Sequence, residues 1–365
     1  MSGAVVTYDC IKSFMKEVLM KIGAPEENAE MTSETLASAD HSGMCTHGIQ
    51  RFKTVYIDRI EKGMIDPKAT PTIVRESPTT AVLDGNNGLG HVNGTIAMKM
   101  AIEKAKKYGM GMVVVRNSTH FGIAGFYSLL AAQEGMMGMA GTNARSSVAP
   151  IYADEPKLGT NPLSVAFPSD EAFPWCFDAA TSISPTGRFE KFVREGKQVD
   201  PSWASKGGDT PLTDAAAFLK MYPKGEAYLH PLGGKEEVNG GHKGYCLSEM
   251  VEILSACFST SSFLSQIEAG AKTTGKYEIG HFFIAVDIST FRDLDEFKKS
   301  VGDVNRELRA AKKRPGYDRI YTAGEKEYET CQYGLKHGVH IPQTTVDEMT
   351  ELKKKYGVSV KLPWE

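Results

Sequence analysis

The chain has 365 residues, which is long for one compact core, so we expect either one large domain with an appendage or two domains. Hydrophobic residues make up 41% of the chain and charged residues 24%, a composition that excludes a disordered protein. The formal net charge is −3 and no basic stripe is present, so neither nucleic acid nor an anionic membrane is expected as a partner.

The expected compartment follows from the N-terminus, the hydropathy and the cysteines. Residues 1–9 lack the basic start and apolar core of a secretory signal, and no stretch approaches the roughly eighteen apolar residues that span a bilayer. The six cysteines are widely spaced without a Cys-x-x-Cys pair, which predicts buried free thiols rather than a disulfide framework. The protein is therefore expected to be cytoplasmic.

In chain order, the sequence first predicts two helices and then an alternation of strands and helices. The first helical pattern covers 11–22, with Thr7 available as a cap and Gly23 as the stop, and the second begins at Pro25 and continues towards Asp40. Further strands are predicted over 72–75, 80–84, 112–115, 163–167, 175–178 and 282–286, and further helices over 94–107 and 244–257. The early order of strand, helix and strand indicates an α/β region.

Two later segments complete this outline. The segment 197–235 is rich in Gly, Pro and Asp and is predicted to form long loops, of the kind used as a lid or an oligomer contact. The last stretch returns to helix, including one helix capped by Thr345 with Asp347 and Glu348 in its first turn. Helical ends around a sheet-rich middle indicate that the first and last parts of the chain pack together.

The first cluster of chemically useful residues is 45–51. His47 and Arg51 are four residues apart, so on a helix they share one face. A 2-oxo or 2-hydroxy acid needs such a pair, because the guanidinium binds its carboxylate bidentately and the imidazole exchanges the hydroxyl proton. A surface helix with a solvated arginine and a neighbouring histidine explains the spacing as well.

The second cluster, 117–125, follows directly on the strand predicted to end at Val115. His120 stands there beside Gly122, at a strand end where ligands can reach it. The start of the following helix supplies amide donors for a phosphate or carboxylate. A helix cap by Ser118 or Thr119, with a satisfied histidine, is the structural alternative.

Two glycine-containing segments are weaker candidates. The segment 159–162, Gly-Thr-Asn-Pro, together with 178–182 at a strand end, offers small residues that let a flat ring or a ribose approach, although a plain turn explains them equally well. The segment 240–245 leads into a helix with Lys243 at its start, which is a weak indication of a phosphate cradle.

Common nucleotide and metal motifs are missing from the sequence. The Gly-Leu-Gly of 88–90 is followed by Asn93, where the third glycine of G-x-G-x-x-G belongs, and no G-x-x-x-x-G-K-[S/T] occurs. The histidine pairs lack cysteine or carboxylate partners at metal-binding offsets, so no metal is expected. A dehydrogenase on this chain would bind its nucleotide without the Rossmann fingerprint.

Taken together and in this order, these segments resemble the malate/L-lactate dehydrogenase family of the second, non-Rossmann type. That family also includes ureidoglycolate and sulfolactate dehydrogenases and diketogulonate and cyclic-imino-acid reductases. The matching elements are Thr46-His47-Gly48-x-x-Arg51, Ser118-x-His120-Phe121-Gly122-x-Ala124-Gly125, Thr142-Asn143, Leu158-Gly159-Thr160-Asn161-Pro162, Asp178-x-Ala180-Thr181-Ser182 and Gly241-His242-Lys243-Gly244-Tyr245, extended by Gly280-His281-Phe282-Phe283 and Gly324-Glu325. Each element is loose alone, but six in register are specific and span nearly the whole chain.

The resemblance implies an α/β (α+β) fold with a non-Rossmann nucleotide-binding domain, built on a largely antiparallel sheet over 76–299. A helical, substrate-side domain would come from 1–75 plus 300–365. It also implies a homodimer that uses NAD or NADP on a small 2-hydroxy or 2-oxo acid. The residues implied at the cofactor are His120, Phe121, Gly122, Ala124, Thr160, Asp178, Ala179, Ala180, His242 and Lys243, with Gly324 and Glu325 in a segment that closes over it.

In such an enzyme Thr46, His47 and Arg51 would hold the substrate. We expect Arg51 to bind the C1 carboxylate, His120 to act as the acid/base and His47 to orient the substrate. The family offers both histidines as the base, and replacing each with asparagine would separate their roles.

Two departures from the family pattern bear on the substrate. Several relatives carry a tyrosine four residues after the arginine, whereas this chain has Val55 there and Tyr56 beside it. Arg145 follows 142–144 near the expected pocket, where a second guanidinium would pair the distal carboxylate of malate, which lactate lacks. Malate is therefore the predicted substrate, and a surface-exposed Arg145 is the alternative.

Other functions fit the same motifs. On the same scaffold the chain would be an L-lactate, ureidoglycolate or sulfolactate dehydrogenase, or an imino-acid reductase. From another class, it would be a nucleotide-binding regulatory protein without catalysis. The joint presence of His47, Arg51, His120 and Lys243 argues against that last reading, because a pure binder needs no proton-transferring histidine.

Overall fold

A seven-stranded sheet forms the centre of the computed structural model, which describes residues 3–365. The strands are β1 Gly3–Val6, β2 Thr72–Glu76, β3 Thr80–Asp84, β4 Met110–Ser118, β5 Met136–Thr142, β6 Leu163–Phe167, β7 Trp175–Ala179, β8 Ala204–Lys206, β9 Thr210–Pro211, β10 Ala227–Leu229, β11 Ile279–Asp287 and β12 Val339–Pro342. The order across the sheet is β2-β3-β4-β11-β5-β6-β7, and in this sheet of the described chain only β3 and β4 are parallel. The predicted α/β (α+β) fold with a largely antiparallel sheet is confirmed.

Helices cover the sheet and build both ends of the chain. They are α1 Tyr8–Lys21, α2 Glu26–His41, α3 Ile49–Arg51, α4 Asp58–Glu61, α5 Gly90–Tyr108, α6 Ala124–Gln133, α7 Thr186–Glu195, α8 Ala215–Met221, α9 Gly241–Glu252, α10 Ser265–Thr274, α11 Leu294–Ala310, α12 Glu325–His337 and α13 Gln343–Tyr356. The predicted cap of α1 is confirmed, because the Thr7 side chain accepts a hydrogen bond from the Cys10 N–H. Within residues 3–365, none of these helices combines the length and apolar character needed to cross a membrane.

The crossover from β3 to β4 runs through α5 and brings the start of that helix against the loop that follows β4. The helix begins at Gly90, ahead of the predicted start at 94. The glycines of 88–90 suggested a loop, but Gly90 is a helical residue pressed against the backbone, where a Cβ would come within 2.5 Å of the His120 carbonyl. The glycine thus permits close packing of helix and loop.

The two ends of the chain share one hydrophobic core. β1 pairs antiparallel with β12, and α1 and α13 meet in a buried cluster that includes Phe14 and Met349. The first and last parts of the chain therefore pack together, while the domain bounds of 1–75 with 300–365 and of 76–299 stay a prediction.

The predicted start of the last helix is wrong. α13 begins at Gln343 directly after Pro342, so Thr345 is buried inside the first turn instead of capping it, and Asp347 and Glu348 lie beyond that turn. Proline supplies the extended backbone from which the helix starts, with φ −69° and ψ 159°, and no side chain caps it.

The prediction of long loops over 197–235 is also wrong. This segment forms a small sheet of order β10-β8-β9 together with α8. Its core is aromatic, because Phe189 of α7 stacks on Phe218 of α8 at 4.0 Å with Trp203 alongside. The glycines and prolines dominate the composition but a few buried rings decide the structure, which a composition-based prediction does not detect.

Candidate active site

The two histidines predicted from separate segments lie side by side. His120 follows the end of β4, and its loop lies beside the short 3-10 turn Cys45–His47. The imidazoles of His47 and His120 are stacked, with ring centroids 5.7 Å apart and planes 22° apart. Both candidates for the acid/base therefore meet at one place.

His120 is held through its Nδ1 atom. The Tyr56 hydroxyl lies 2.5 Å from Nδ1, and the Gly122 N–H approaches the same atom at 3.3 Å. A phenol both donates and accepts, so Tyr56 can pair with Nδ1 whether or not that atom carries a proton. The Nε2 atom of His120 remains for a substrate.

Tyr56 reaches this position through an uncommon helical turn. α3 passes into a π-helix over Phe52–Ile57 before α4 begins. In a π-helix the residue five positions along lies one turn above, so Tyr56 follows Arg51 on the same face. Several relatives carry a tyrosine four residues after the arginine, where this chain has Val55, so the sequence indicates Tyr56 only as its neighbour and gives it no role.

Arg51 is half-buried between a backbone carbonyl and a carboxylate. Its Nε donates to the Thr46 carbonyl at 2.9 Å, and its Nη2 lies 3.0 Å from Glu190 Oε1. The Thr46 hydroxyl lies 3.1 Å from His47 Nδ1. Gly187 lets α7, which carries Glu190, approach Thr46 closely, because a Cβ at Gly187 would lie 2.8 Å from the Thr46 side chain. The three predicted substrate residues are therefore connected, and the guanidinium has N–H donors beyond these two.

Burial keeps both histidines uncharged. Burial, followed by the charge of Arg51, lowers the pKa of His47 to about 4. Burial, followed by His47, His91 and the nearby arginines, lowers the pKa of His120 well below its usual range. A neutral imidazole can accept a proton, which is what the oxidation of a 2-hydroxy acid requires.

His91 lies behind Tyr56 and was not singled out from the sequence. Its ring centroid is 4.8 Å from that of Tyr56, and within residues 3–365 neither of its ring nitrogens has a hydrogen-bond partner. Burial lowers the pKa of His91 to about 3, so the ring is uncharged. It directly follows the Gly-Leu-Gly of 88–90, and no local spacing pattern in the sequence marks it as functional.

Asp40 anchors the segment that carries His47. Its buried carboxylate accepts a hydrogen bond from the Ile49 N–H at 2.7 Å. A Cβ at Gly48 would come within 2.2 Å of that carboxyl, so only glycine fits there. Burial raises the pKa of Asp40 to about 8 against this hydrogen bond. The position of His47 thus depends on a carboxyl that the sequence analysis treated only as the end of a helix.

A cleft of about 740 Å³ lies next to the His120 loop, a volume typical of ligand sites. Ile123 and Gly125 line it from that loop and α6, Asp178 lines it from β7, and Gly324 lines it just before α12. The Gly125 N–H donates to Asp178 Oδ2 at 2.7 Å, and burial raises the pKa of Asp178 to about 6. Three segments predicted at the cofactor therefore meet in one cleft.

The lining of this cleft fits a dinucleotide. Apolar and aromatic side chains suited to flat rings line it, namely Ile123, Phe126, Leu129, Leu130, Phe173, Phe177 and Tyr321. Gly125 leaves room beside the carboxylate, because a Cβ there would come within 2.7 Å of Asp178 Oδ2. A carboxylate acceptor among glycines and apolar walls suits the hydroxyl groups of a ribose and the flat ring of a nicotinamide.

Other residues predicted at the cofactor do not line this cleft. They are His120, Phe121, Gly122, Ala124, Thr160, Ala179, Ala180, His242, Lys243 and Glu325. The Phe121 ring belongs to the core, where it stacks on His281 at 4.6 Å. His242 and Lys243 begin α9, and the loop before α9 is tied to the end of β7 because the Leu232 N–H donates to the Thr181 carbonyl at 2.9 Å. Cofactor contacts of these residues stay a prediction.

The Glu325 carboxylate forms hydrogen bonds and ion pairs with neighbouring groups. Its carboxylate accepts from the Thr322 N–H at 2.9 Å, lies 3.4 Å from Arg309 Nη1 and pairs with Arg319. Burial by itself raises the pKa of Glu325, but the hydrogen bonds from Thr322 and Arg319 outweigh it and lower the pKa. The carboxylate stabilises the turn that presents Gly324 to the cleft.

Arg145 is half-buried, so the alternative of a surface-exposed side chain is wrong. Its guanidinium carbon lies 5.4 Å from the ring centroid of Tyr277. Arg59, which sequence reasoning missed, lies 4.9 Å from the same centroid. The sequence signal for Arg59 is its spacing, because it follows Tyr56 by three residues, about one helical turn.

All six cysteines are free in the structure. In the part of the chain that the structure describes, no three side chains of His, Cys, Asp or Glu gather as metal ligands.

Known proteins resemble this chain over nearly its whole length. The malate/L-lactate dehydrogenase family model matches residues 6–350. The malate dehydrogenase of Pyrococcus abyssi is 41% identical over 352 residues, which cover 96% of this chain and 94% of that protein. The L-sulfolactate dehydrogenase of Methanocaldococcus jannaschii is 34% identical over 350 residues, 96% of each chain. A crystal structure of malate dehydrogenase from Entamoeba histolytica is 66% identical with a TM-score of 0.98, covering 99% of this chain and all of that one. This chain therefore belongs to the malate/L-lactate dehydrogenase family.

Proposed function

We propose that this chain is an oxidoreductase that transfers a hydride between NAD or NADP and the malate/oxaloacetate pair. The observation that carries the proposal is the meeting of Arg51, His47 and His120, in which a guanidinium stands beside two uncharged imidazoles. Relatives named malate dehydrogenase, at 41% and 66% identity, support malate as the acid.

The chain's own residues bind the acid and move one proton. Arg51 binds the C1 carboxylate through its remaining N–H donors, and His47 orients the oxygen on C2. During oxidation His120 accepts the hydroxyl proton at Nε2, and during reduction it returns that proton to the same oxygen. When bound, the nicotinamide accepts or supplies the hydride at C2.

Tyr56 stabilises the form of His120 that this step needs. Nε2 can accept a proton only if the other ring nitrogen carries the hydrogen of the neutral imidazole. The Tyr56 oxygen at 2.5 Å can accept a hydrogen bond from that Nδ1–H, which then replaces the bond that Nδ1 accepts from the Gly122 N–H. The imidazolium formed keeps the same bond. The carboxylates of the acid offset the positive charges that depress the pKa of His120, so substrate binding makes the base stronger.

The reaction is tested by following the absorbance of the reduced nicotinamide. Oxaloacetate and pyruvate are each supplied with NADH and with NADPH. We expect reduction of oxaloacetate with at least one cofactor, with a higher kcat/KM than for pyruvate. Absence of nicotinamide-dependent turnover with every 2-oxo acid of a wider panel would contradict the proposal.

Replacing each histidine separates the two roles. His120→Asn should lower kcat by roughly 10²- to 10⁴-fold because it removes the base. His47→Asn should raise KM more than it lowers kcat, since His47 orients the acid. His337→Asn, at an exposed position on α12, is the matched control. Near-normal turnover in both site variants would refute the assignment.

Sulfolactate is the second candidate substrate. It carries a sulfonate where malate has its distal carboxylate, and the sulfolactate dehydrogenase relative matches 96% of this chain. The ratio of kcat/KM for sulfopyruvate and oxaloacetate distinguishes the two. L-Lactate, ureidoglycolate and cyclic imino acids belong in the same substrate panel.

We further propose that the protein is a homodimer. Leu247, Met250 and Ile253 follow one another at helical spacing along α9 and the turn after it, with exposures of 38%, 38% and 45%. Such an exposed apolar stripe on a helix fits pairing with a second copy. Size-exclusion chromatography with light scattering should give about twice the chain mass of 39.8 kDa, and a monomer would contradict the proposal.

We also propose a cytoplasmic location. The six free thiols support it, because reduced cysteines persist in a reducing compartment. Subcellular fractionation with an antibody to the protein is the test, and recovery with a secreted or organellar fraction would contradict it.

A further inference from the structure

Two arginines share one aromatic ring near the histidines. Arg59 and Arg145 place their guanidinium carbons 4.9 Å and 5.4 Å from the centroid of Tyr277. Arg59 belongs to α4, and Arg145 follows the end of β5. Tyr277 stands just before β11, which pairs with β5 in the sheet. The tertiary structure thus assembles the three side chains from distant parts of the sequence.

These two guanidiniums differ from the other arginines of the described chain. Neither Arg59 nor Arg145 has a carboxylate within 4.0 Å in residues 3–365, and both are half-buried. Six of the remaining arginines have a carboxylate partner, namely Arg51, Arg116, Arg292, Arg306, Arg309 and Arg319. The other four are exposed, namely Arg75, Arg188, Arg194 and Arg314. Partly desolvated guanidiniums with no carboxylate in ion-pair contact favour binding of an anion.

Their proximity is also electrostatically unfavourable. Burial and the charge of Arg145 lower the pKa of Arg59, although Tyr277 acts in the opposite direction. Burial by itself lowers the pKa of Arg145 as well, but Tyr222, Tyr277 and Glu268 outweigh it and raise that pKa. Arg59 stands three residues after Tyr56, whose hydroxyl lies 2.5 Å from His120 Nδ1, so it lies beside the reacting end of the site. An anion between the two arginines would relieve their repulsion.

We infer that Arg59 and Arg145 together bind the second anionic group of the substrate, with Tyr277 as the positioning residue that holds both guanidiniums. The inference rests on the proposed function, because it assigns the distal end of the same acid. Arg51 takes the C1 carboxylate, and the Arg59–Arg145 pair takes a distal carboxylate or sulfonate. The substrate class is therefore a 2-oxo or 2-hydroxy acid with two anionic ends, which excludes monocarboxylic acids such as lactate as the preferred substrate.

The first test compares a dianion and a monoanion as substrates. Arg59→Gln should lower kcat/KM for oxaloacetate by roughly 10- to 100-fold, the effect of losing a hydrogen-bonded charged group, and should leave kcat/KM for pyruvate within about 2-fold. Arg75→Gln, an exposed arginine without a partner in the described chain, is the matched control and should change neither value. Equal losses for both acids, or no loss for oxaloacetate, would overturn the inference.

A second test does not depend on turnover. Succinate has two carboxylates but no 2-oxo group, and propionate has one. Calorimetry should show that Arg59→Gln weakens binding of succinate to the protein with its reduced cofactor but does not change binding of propionate. If wild type and Arg59→Gln bind succinate equally, or both fail to bind it, the inference is wrong even where turnover occurs. If succinate binding follows the inference but no 2-oxo acid is reduced, the proposed function alone fails.

Tyr277 is tested by the division between KM and kcat. Tyr277→Leu removes the ring and should raise KM for oxaloacetate with a smaller change in kcat, while Tyr277→Phe keeps the ring and should restore most of the wild-type KM. A purely structural role would lower the melting temperature and affect pyruvate and oxaloacetate alike, which would contradict the assignment.

Discussion

Replacing Tyr56 by phenylalanine isolates one hydrogen bond in the proton transfer. The variant removes the hydroxyl 2.5 Å from His120 Nδ1 and keeps the ring that packs 4.8 Å from His91. The group left near Nδ1 is the Gly122 N–H at 3.3 Å, which can donate but cannot accept. The catalytic form of His120, with a hydrogen on Nδ1, therefore loses its acceptor.

The size of the effect follows from this loss. A buried donor left without a partner costs about 1–3 kcal/mol, and more when it is charged, as in the imidazolium formed during the reaction. Since 1.36 kcal/mol corresponds to a factor of ten in rate, we expect kcat of Tyr56→Phe to fall by roughly 10- to 100-fold. Because Tyr56 contacts His120 and not the carboxylate-binding Arg51, KM should change much less.

Steady-state kinetics over a range of pH provides the assay. In the wild type, the lowered pKa of His120 means that kcat/KM for malate stays high below pH 6.5 and falls only as pH drops through that lowered value. In Tyr56→Phe the imidazolium loses an acceptor, so the acid limb should move to still lower pH. Tyr317→Phe, at an exposed tyrosine, is the control. Turnover of Tyr56→Phe within about 2-fold of wild type, with an unmoved acid limb, would refute this role for the phenol.

Three further changes test other parts of the site. The folded Asp40 carboxyl keeps its proton up to a pKa of about 8, so its contribution to the free energy of unfolding is full below the unfolded pKa near 3.8 and is lost as pH rises towards 8. Between these pH values the melting temperature of Asp40→Asn should therefore fall less than that of the wild type. Melting temperatures that change in parallel with pH in the two proteins would contradict this. Gly125→Ala puts a Cβ within 2.7 Å of Asp178 Oδ2 and should weaken cofactor binding in a fluorescence titration, whereas unchanged affinity would place the cofactor elsewhere. Glu190→Gln removes the carboxylate 3.0 Å from Arg51 and should lower KM for oxaloacetate by about 2- to 5-fold, an expectation that a raised KM would exclude.

The sequence by itself determined the local chemistry of this protein. Helical spacing predicted the helices at the N-terminus, and short apolar runs predicted β2, β3, β6 and β7 close to their observed bounds. The sequence named His47, Arg51 and His120 as candidates, and the structure brings the three together. These features depend on neighbours along the chain, so their pattern is visible in a single sequence. The expected shared helix face of His47 and Arg51 is wrong, because His47 lies in a 3-10 turn and Arg51 in the short helix after Gly48.

Only the tertiary structure decided which distant groups complete the site. Tyr56 reaches His120 from a π-turn, which the sequence pattern did not predict. Arg145 meets Tyr277 because β5 and β11 are neighbours in the sheet, although the two strands are far apart in the sequence. Arg59 joins them from α4, a third distant segment. Local periodicity carries no information about such pairings, because the order of strands is set by which apolar faces pack together once the whole chain has folded.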